Sequence, residues 1–283
     1  MVRLGIIGAE SSHVDGFWNV IRQRTDVSLT AIWAESAAAK EKIATVLQLD
    51  CEVDFPADMI GKVDAVLVTL RDGANHLEAV RPLIGKNIAV WMDKPFTVSV
   101  ADAKELLRLL TDSHTIFSGG SSIKLAPELK TAREKVQRMG QDCLSGYLAY
   151  QTMLDSPYSG MHFYSHHLIE SALFVFGCGV RSVFAKRSGE SLSVIASYDT
   201  FHVLLNYGVA VQPLHVGVFG KSESFLMKYD ADIRLAQSLE EFLTAIAQGK
   251  PPYPPEFFLT AVRMCNAIIR SMEQGREVAL EEV

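Results

Sequence analysis

The chain has 283 residues, 48% of them apolar and 21% charged, with a formal net charge of −6. That length and balance suit one large or two ordinary globular domains with real cores. A mildly acidic chain without basic clusters excludes the electrostatic footprint of nucleic-acid or anionic-membrane binding. No apolar run reaches membrane-spanning length, and the first residues do not read as a signal peptide, so a cytoplasmic location is the default expectation.

In chain order, residues 4–7 form a short apolar run that ends in Gly8 and reads as a buried parallel strand. Residues 13–24 carry Val14, Phe17, Trp18 and Ile21 at helical spacing. The pattern then predicts a strand over 27–33, a helix over 37–47, a strand over 63–69 and a helix over 76–84 that Pro82 disturbs. A strand over 88–92, a helix over 100–110 and a last strand over 115–118 follow. Strands alternating with helices imply right-handed βαβ units and a doubly wound parallel sheet of the Rossmann type, residues 1–120.

From residue 121 the pattern changes. Strand-like runs at 144–153, 180–186, 192–198, 202–207, 209–218 and 224–229 follow one another closely, with turn signals at Gly189 and Gly208. They predict a mostly antiparallel open-faced sheet with helices, one over 165–176, one over 239–247 and one over 256–273 after a proline-rich connector. The second domain is expected to be 121–283. Cys51, Cys143, Cys178 and Cys265 form no CxxC pair and read as buried free thiols.

A strand that ends in glycine and feeds a helix offers free N–H groups and a positive dipole end to a pyrophosphate. Gly8-Ala9-Glu10-Ser11-Ser12-His13 keeps only the first glycine of the GxGxxG pattern. Glu10 puts a carboxylate where backbone should approach phosphate; it either swings away or binds a ribose hydroxyl. Ser11 and Ser12 are candidate phosphate donors or helix caps. Glu35, just beyond the second strand, is a candidate for the adenosine ribose diol, which favours NAD over NADP; its alternative is a solvated glutamate at a helix start. Pro95 holds Lys94 extended at the carboxyl end of the sheet, where a lysine can bond a substrate hydroxyl and relay its proton. His162, His166 and Glu170 fall at successive fours, a metal-ligand spacing on one continuous helix. Gly160 and the polar start place the helix start later, so no metal is assigned.

Asp93-Lys94-Pro95, followed by Thr97 and then Asp102-Ala103, resembles the strand, Glu-Lys-Pro and helix start of the Gfo/Idh/MocA family of NAD(P)-dependent oxidoreductases. Gly160 to Gly177 resembles the family's histidine helix, with His167 and Glu170 at its His and Asp. The tail 269–278 resembles its terminal helix and Gly-Arg-x-Val ending. The resemblance implies hydride transfer between nicotinamide and a sugar, polyol or related small hydroxylated substrate. It implies Lys94 and His167 as catalytic residues, and Gly8, Glu10, Ser11, Ser12, His13, Glu35, Thr69, His76, Asp93, Lys94 and Pro95 around an NAD or NADP cofactor. Lys94, Lys124, His162, His166 and His167 would meet the substrate. A homodimer or homotetramer through the C-terminal sheet is implied as well, in keeping with apolar residues on both faces of 209–218. Phe163 stands where the family's catalytic aspartate usually lies, four residues before the histidine. That departure, with Glu10 and Ala34, leaves two rivals: a non-catalytic dinucleotide- or ligand-sensing protein on the same fold, and a metal-dependent lyase or hydrolase.

Overall fold

The computed structural model describes every residue except 152, 209–213 and 231. It divides into two compact units, Met1–Gly120 with Leu235–Pro254, and Ser121–Arg234 with Pro255–Val283.

The first unit holds a parallel six-stranded sheet built from β1 (Val2–Ile7), β2 (Val27–Trp33), β3 (Glu52–Val53), β4 (Ala65–Val68), β5 (Ala89–Met92) and β6 (Phe117–Gly119). Their spatial order is β3-β2-β1-β4-β5-β6, all pairs parallel. The chain winds outward from β1 in both directions, so the order reverses between β1 and β4. That reversal opens the crevice in which open α/β sheets bind ligands. Strands β1, β4 and β5 are buried on both faces by α1 (Ser12–Ile21), α2 (Ala37–Lys42), α3 (His76–Val80) and α4 (Val100–Asp112), which explains their unbroken apolar runs. As Pro82 suggested, α3 stops early and tightens into a short 3-10 turn over Arg81–Leu83.

The boundary of the second domain needs a correction. The segment expected within 121–283 includes Leu235–Pro254, and this segment belongs to the first unit. Leu235, Leu239 and Phe242 join the core around Phe17, Ile32 and Trp91. Trp91 meets Phe17 edge-on at 4.8 Å and donates Nε1–H to Ser238 Oγ at 3.1 Å. An indole is seldom buried without such a partner. After α5 (Pro127–Met139), β7 (Cys143–Gln151) and α6 (His162–Phe176), the second unit continues with β8 (Ser182–Ser188), β9 (Ser191–Ser197), β10 (His202–Gly208), β11 (His215–Gly220) and β12 (Ser224–Lys228). The returning helix of the first unit is α7 (Leu235–Gln248); α8 (Pro255–Gln274) and β13 (Val278–Ala279) complete the second unit.

Its seven-stranded sheet runs β12-β11-β7-β10-β9-β8-β13, with β7–β10 parallel and the other pairs antiparallel. Only one face is covered, so β9 reads exposed-buried in strict alternation. Of the run expected over 209–218, residues 209–213 lie outside the described residues, and the strand found is His215–Gly220. Helix α5 is additional to the reading of the sequence. Among the described residues, no helix is long and apolar enough to cross a membrane.

Candidate functional site

At the carboxyl edge of the parallel sheet, β1 ends in Gly8 at φ +97°, a left-handed conformation that side chains resist. A Cβ there would stand 2.8 Å from the backbone nitrogen of Leu70, so backbone proximity as well as torsion selects glycine. The buried hydroxyl of Thr69 donates to the Gly8 carbonyl at 2.6 Å and pins this corner from β4. Ser11 caps α1, its Oγ accepting from the His13 amide at 3.1 Å, while Ser12 is exposed on the first turn.

The loop amides point at a carboxylate. Ala9 N–H donates to Glu35 Oε2 at 2.6 Å and Glu10 N–H to Oε1 at 3.0 Å. Two backbone donors converging on one anion at a helix N-terminus form an anion cradle. The Glu10 side chain swings away: Ser36 Oγ donates to its Oε1 at 2.5 Å. Arg71 donates to the Glu10 carbonyl at 3.1 Å. Glu35 also borders a hollow of about 640 Å³ in the same unit, lined by Trp33, Phe55, Pro56, Leu70 and Asn75 among others.

The loop and the lysine-proline motif are joined by an ion pair that the sequence did not reveal. His13 Nδ1 lies 2.5 Å from Asp93 Oδ2, and the Lys94 amide donates to Oδ1 at 2.7 Å. Burial opposes ionisation of Asp93, yet the charge and hydrogen bond of His13, with Lys94 beside it, outweigh burial and hold the carboxyl below its usual range. Lys94 and Pro95 are buried at the end of β5, the Pro95 ring against Gly73, where a Cβ would come within 2.5 Å of it.

Thr69 and His76, both expected at the cofactor, are fully buried and engaged within the unit. Thr69 holds Gly8, as above. His76 Nε2 lies 3.0 Å from the Leu70 carbonyl and Nδ1 3.3 Å from that of Phe96. Burial pushes its pKa down, so the ring is a neutral tie between two loops.

In the second unit, α6 begins at His162, three residues before the expected start. His162, His166 and Glu170 therefore do share one continuous helix. His167 Nδ1 lies 2.7 Å from Ser121 Oγ, and its ring packs against Tyr150 and Tyr164 at 5.3 and 5.4 Å between centroids. Glu170 Oε2 accepts the Ser121 amide at 2.7 Å and faces the Lys124 ammonium at 3.6 Å. Lys124 also donates to the Ser121 carbonyl at 3.1 Å and is 1% exposed. Lys124, expected at the substrate, stands as a buried counter-ion to Glu170. Ser121, read from the sequence only as part of a domain boundary, is the residue that orients both His167 and Glu170. Phe163 packs on Tyr158 and Tyr164. The four cysteines are free, as expected; Cys143 and Cys265 are buried and Cys51 and Cys178 partly so.

Residues 2–121 match the family model described as an oxidoreductase family with an NAD-binding Rossmann fold. No curated protein matches by sequence. Solved structures do. A probable dehydrogenase from Thermotoga maritima superposes with a TM-score of 0.84 at 19% identity, covering 100% of both chains. Myo-inositol 2-dehydrogenase from Lactobacillus plantarum gives 0.84 at 14%, covering 98% of this chain and 99% of that one. Scyllo-inositol dehydrogenase from Lactobacillus casei, with bound NAD(H) and scyllo-inositol, gives 0.84 at 14%, covering 99% of each. At such identities the superpositions establish the fold. Residues 2–121 are thus similar to the NAD-binding Rossmann domain of the Gfo/Idh/MocA oxidoreductase family.

Proposed function

We propose that the protein is an NAD(P)-dependent oxidoreductase that passes hydride between nicotinamide and a carbinol carbon of a sugar, polyol or related small hydroxylated molecule. The observation that carries this reading is the anion cradle. Despite the loss of two motif glycines, Gly8 still turns the chain and the Ala9 and Glu10 amides still converge on a negative group. The residues fit a dinucleotide: Gly8 turns the chain into the N-terminus of α1, where Ser11, Ser12 and His13 would meet a pyrophosphate, while the Ala9 and Glu10 amides hold Glu35 in place. Glu35, beside the hollow at the end of β2, suits the ribose diol and disfavours a 2′-phosphate, so NAD is the expected cofactor. Asp93, Lys94 and Pro95 would shape the nicotinamide end.

A bound nicotinamide would supply the hydride chemistry. Lys94 hydrogen-bonds the substrate hydroxyl and His167, oriented by Ser121, moves the proton. The inositol dehydrogenases of the same fold support a polyol as the substrate class. Titration with NADH and NADPH, followed by a polyol and sugar screen, tests the reading. Saturable NADH binding is expected, with turnover that falls about 10²- to 10⁴-fold in Lys94→Ala while NADH affinity holds. Binding without turnover of any substrate would favour a sensing protein instead. That second reading draws on Phe163, which leaves no carboxylate four residues ahead of His167.

We also propose a homodimer or homotetramer through the open sheet. Pairing places Leu226, Gly217, Tyr147, Leu204, Ile195 and Phe184 in one row across five intervals of the exposed face. Leu226 is 59% exposed and Ile195 41%. Ile195→Asp is expected to convert the oligomer to monomer in light scattering; an unchanged mass would place the contact elsewhere.

A further inference from the structure

A second cluster lies within the second unit, apart from the hydrogen bonds of His167. His162 and His166, one helical turn apart on α6, face Cys265 on α8. One imidazole nitrogen from each and the Cys265 sulfur all lie within 4.8 Å of one another, and all three residues are buried. The two rings are near-parallel, 6.2 Å apart between centroids.

His166 makes this more than a chance grouping. It is fully buried, and neither ring nitrogen has a hydrogen-bond partner. Glu170 Oε1 stands 3.8 Å from its Nδ1, beyond hydrogen-bond reach. Buried imidazoles ordinarily satisfy at least one nitrogen, because an unsatisfied polar group in the interior forfeits its hydration without replacement. An imidazole with a carboxylate near one nitrogen and an open second nitrogen has the arrangement of a metal-binding histidine.

We propose that His162, His166 and Cys265 bind a divalent ion of borderline softness, zinc by preference, as a clip between α6 and α8. Two imidazoles and a thiolate are the donor set that selects such ions over magnesium or calcium. Zinc stands about 2.1 Å from imidazole nitrogen and about 2.3 Å from thiolate sulfur, so its ligand atoms lie roughly 3.5 Å apart. The cluster must close by about 1 Å, a side-chain adjustment that leaves both helices in place. Burial pushes the Cys265 thiol up, so the thiol keeps its proton in the empty cluster. Binding expels the thiol proton, and the ion then holds the thiolate. Glu170, held in place by Ser121 and Lys124, stands 3.8 Å from His166 Nδ1, outside the ligand set.

The test uses the full chain, stripped with chelator and titrated with Co(II) and Zn(II). One equivalent of Co(II) is expected to bind with a thiolate-to-cobalt charge-transfer band, and one of Zn(II) to displace it. A hundredfold excess of Zn(II) over Kd is expected to raise Tm by roughly 5 °C. Cys265→Ser, a near-isosteric change, is expected to abolish the band and weaken Zn(II) about a hundredfold or more. His202→Asn, at an exposed position on β10, serves as the control and should leave both unchanged. A wild-type protein that takes up no stoichiometric Co(II), or a Cys265→Ser protein that keeps both the band and the affinity, would overturn the proposal.

Discussion

The phosphate loop and the histidine helix solve the placement of polar groups in opposite ways. Around Gly8 the working donors are backbone amides, fixed by a parallel sheet and by Thr69, and the anion that meets them comes from a residue 26 positions away. Side chains at 10 and 13 are then free to depart from glycine, provided that they turn aside, as Glu10 does toward Ser36. On α6 the working groups are side chains, buried and mutually dependent: Ser121 serves both His167 and Glu170, and Lys124 answers Glu170. The comparison teaches that a motif written in backbone tolerates substitution, whereas one written in buried side chains does not.

The largest effect that would break this contrast is expected at Lys124. Lys124→Met leaves Glu170 charged and uncompensated in the interior, and should destabilise the protein by about 3–5 kcal/mol in urea denaturation. Adding Glu170→Leu should restore most of that loss, because the desolvation penalty of both charges disappears. If the single variant loses less than about 1 kcal/mol, the pair does not depend on its partner as argued.

Glu35 gives the middle-sized test. Glu35→Ala removes the acceptor of two amides, one of them on the fully buried Ala9, so a loss of about 1–3 kcal/mol is expected. The same variant should weaken NADH roughly tenfold and NADPH less. Equal weakening of both cofactors would remove Glu35 from the ribose diol.

The remaining effect is pH-dependent and lies at His76. Its folded pKa is lowered by burial, so the unfolded chain takes up the proton first. Stability from this residue is complete above about pH 6.5 and falls as pH drops below it toward the folded value, by at most about 1.4 kcal/mol per pH unit. His76→Gln should flatten this slope in denaturation curves between pH 5 and 7, roughly the window set by the ordinary histidine value.

Much of the fold was legible because its signals are local. The apolar runs that became β1, β4 and β5 need no partner to be recognised, and the alternation in β9 shows one-sided burial. What escaped is long-range or weakly patterned. Helix α5 buries only Leu129 and Ala132 among thirteen mostly polar residues, too narrow a stripe to read. The early start of α6 escaped because a positive-φ Gly160 and Ser159 precede it without a side-chain cap. Lys94, Asp93 and Gly8 were found as candidates from their motif positions. The Glu35 carboxylate on the loop, the His13–Asp93 pair and the meeting of Cys265 with His166 each join residues 25 or more apart in sequence. Local periodicity contains nothing about such pairs, and only the register of the sheets and the docking of helices creates them.

The return of Leu235–Pro254 to the first unit has a consequence for biosynthesis. A ribosome that has released residues 1–120 has made every strand of the parallel sheet, yet Trp91, Phe17 and their neighbours still lack Leu239 and Phe242. At ordinary elongation rates the missing helix emerges roughly ten to twenty seconds later. Through that interval the nascent sheet carries an uncovered apolar patch, which makes it a natural client for chaperones and a poor candidate for expression as an isolated fragment.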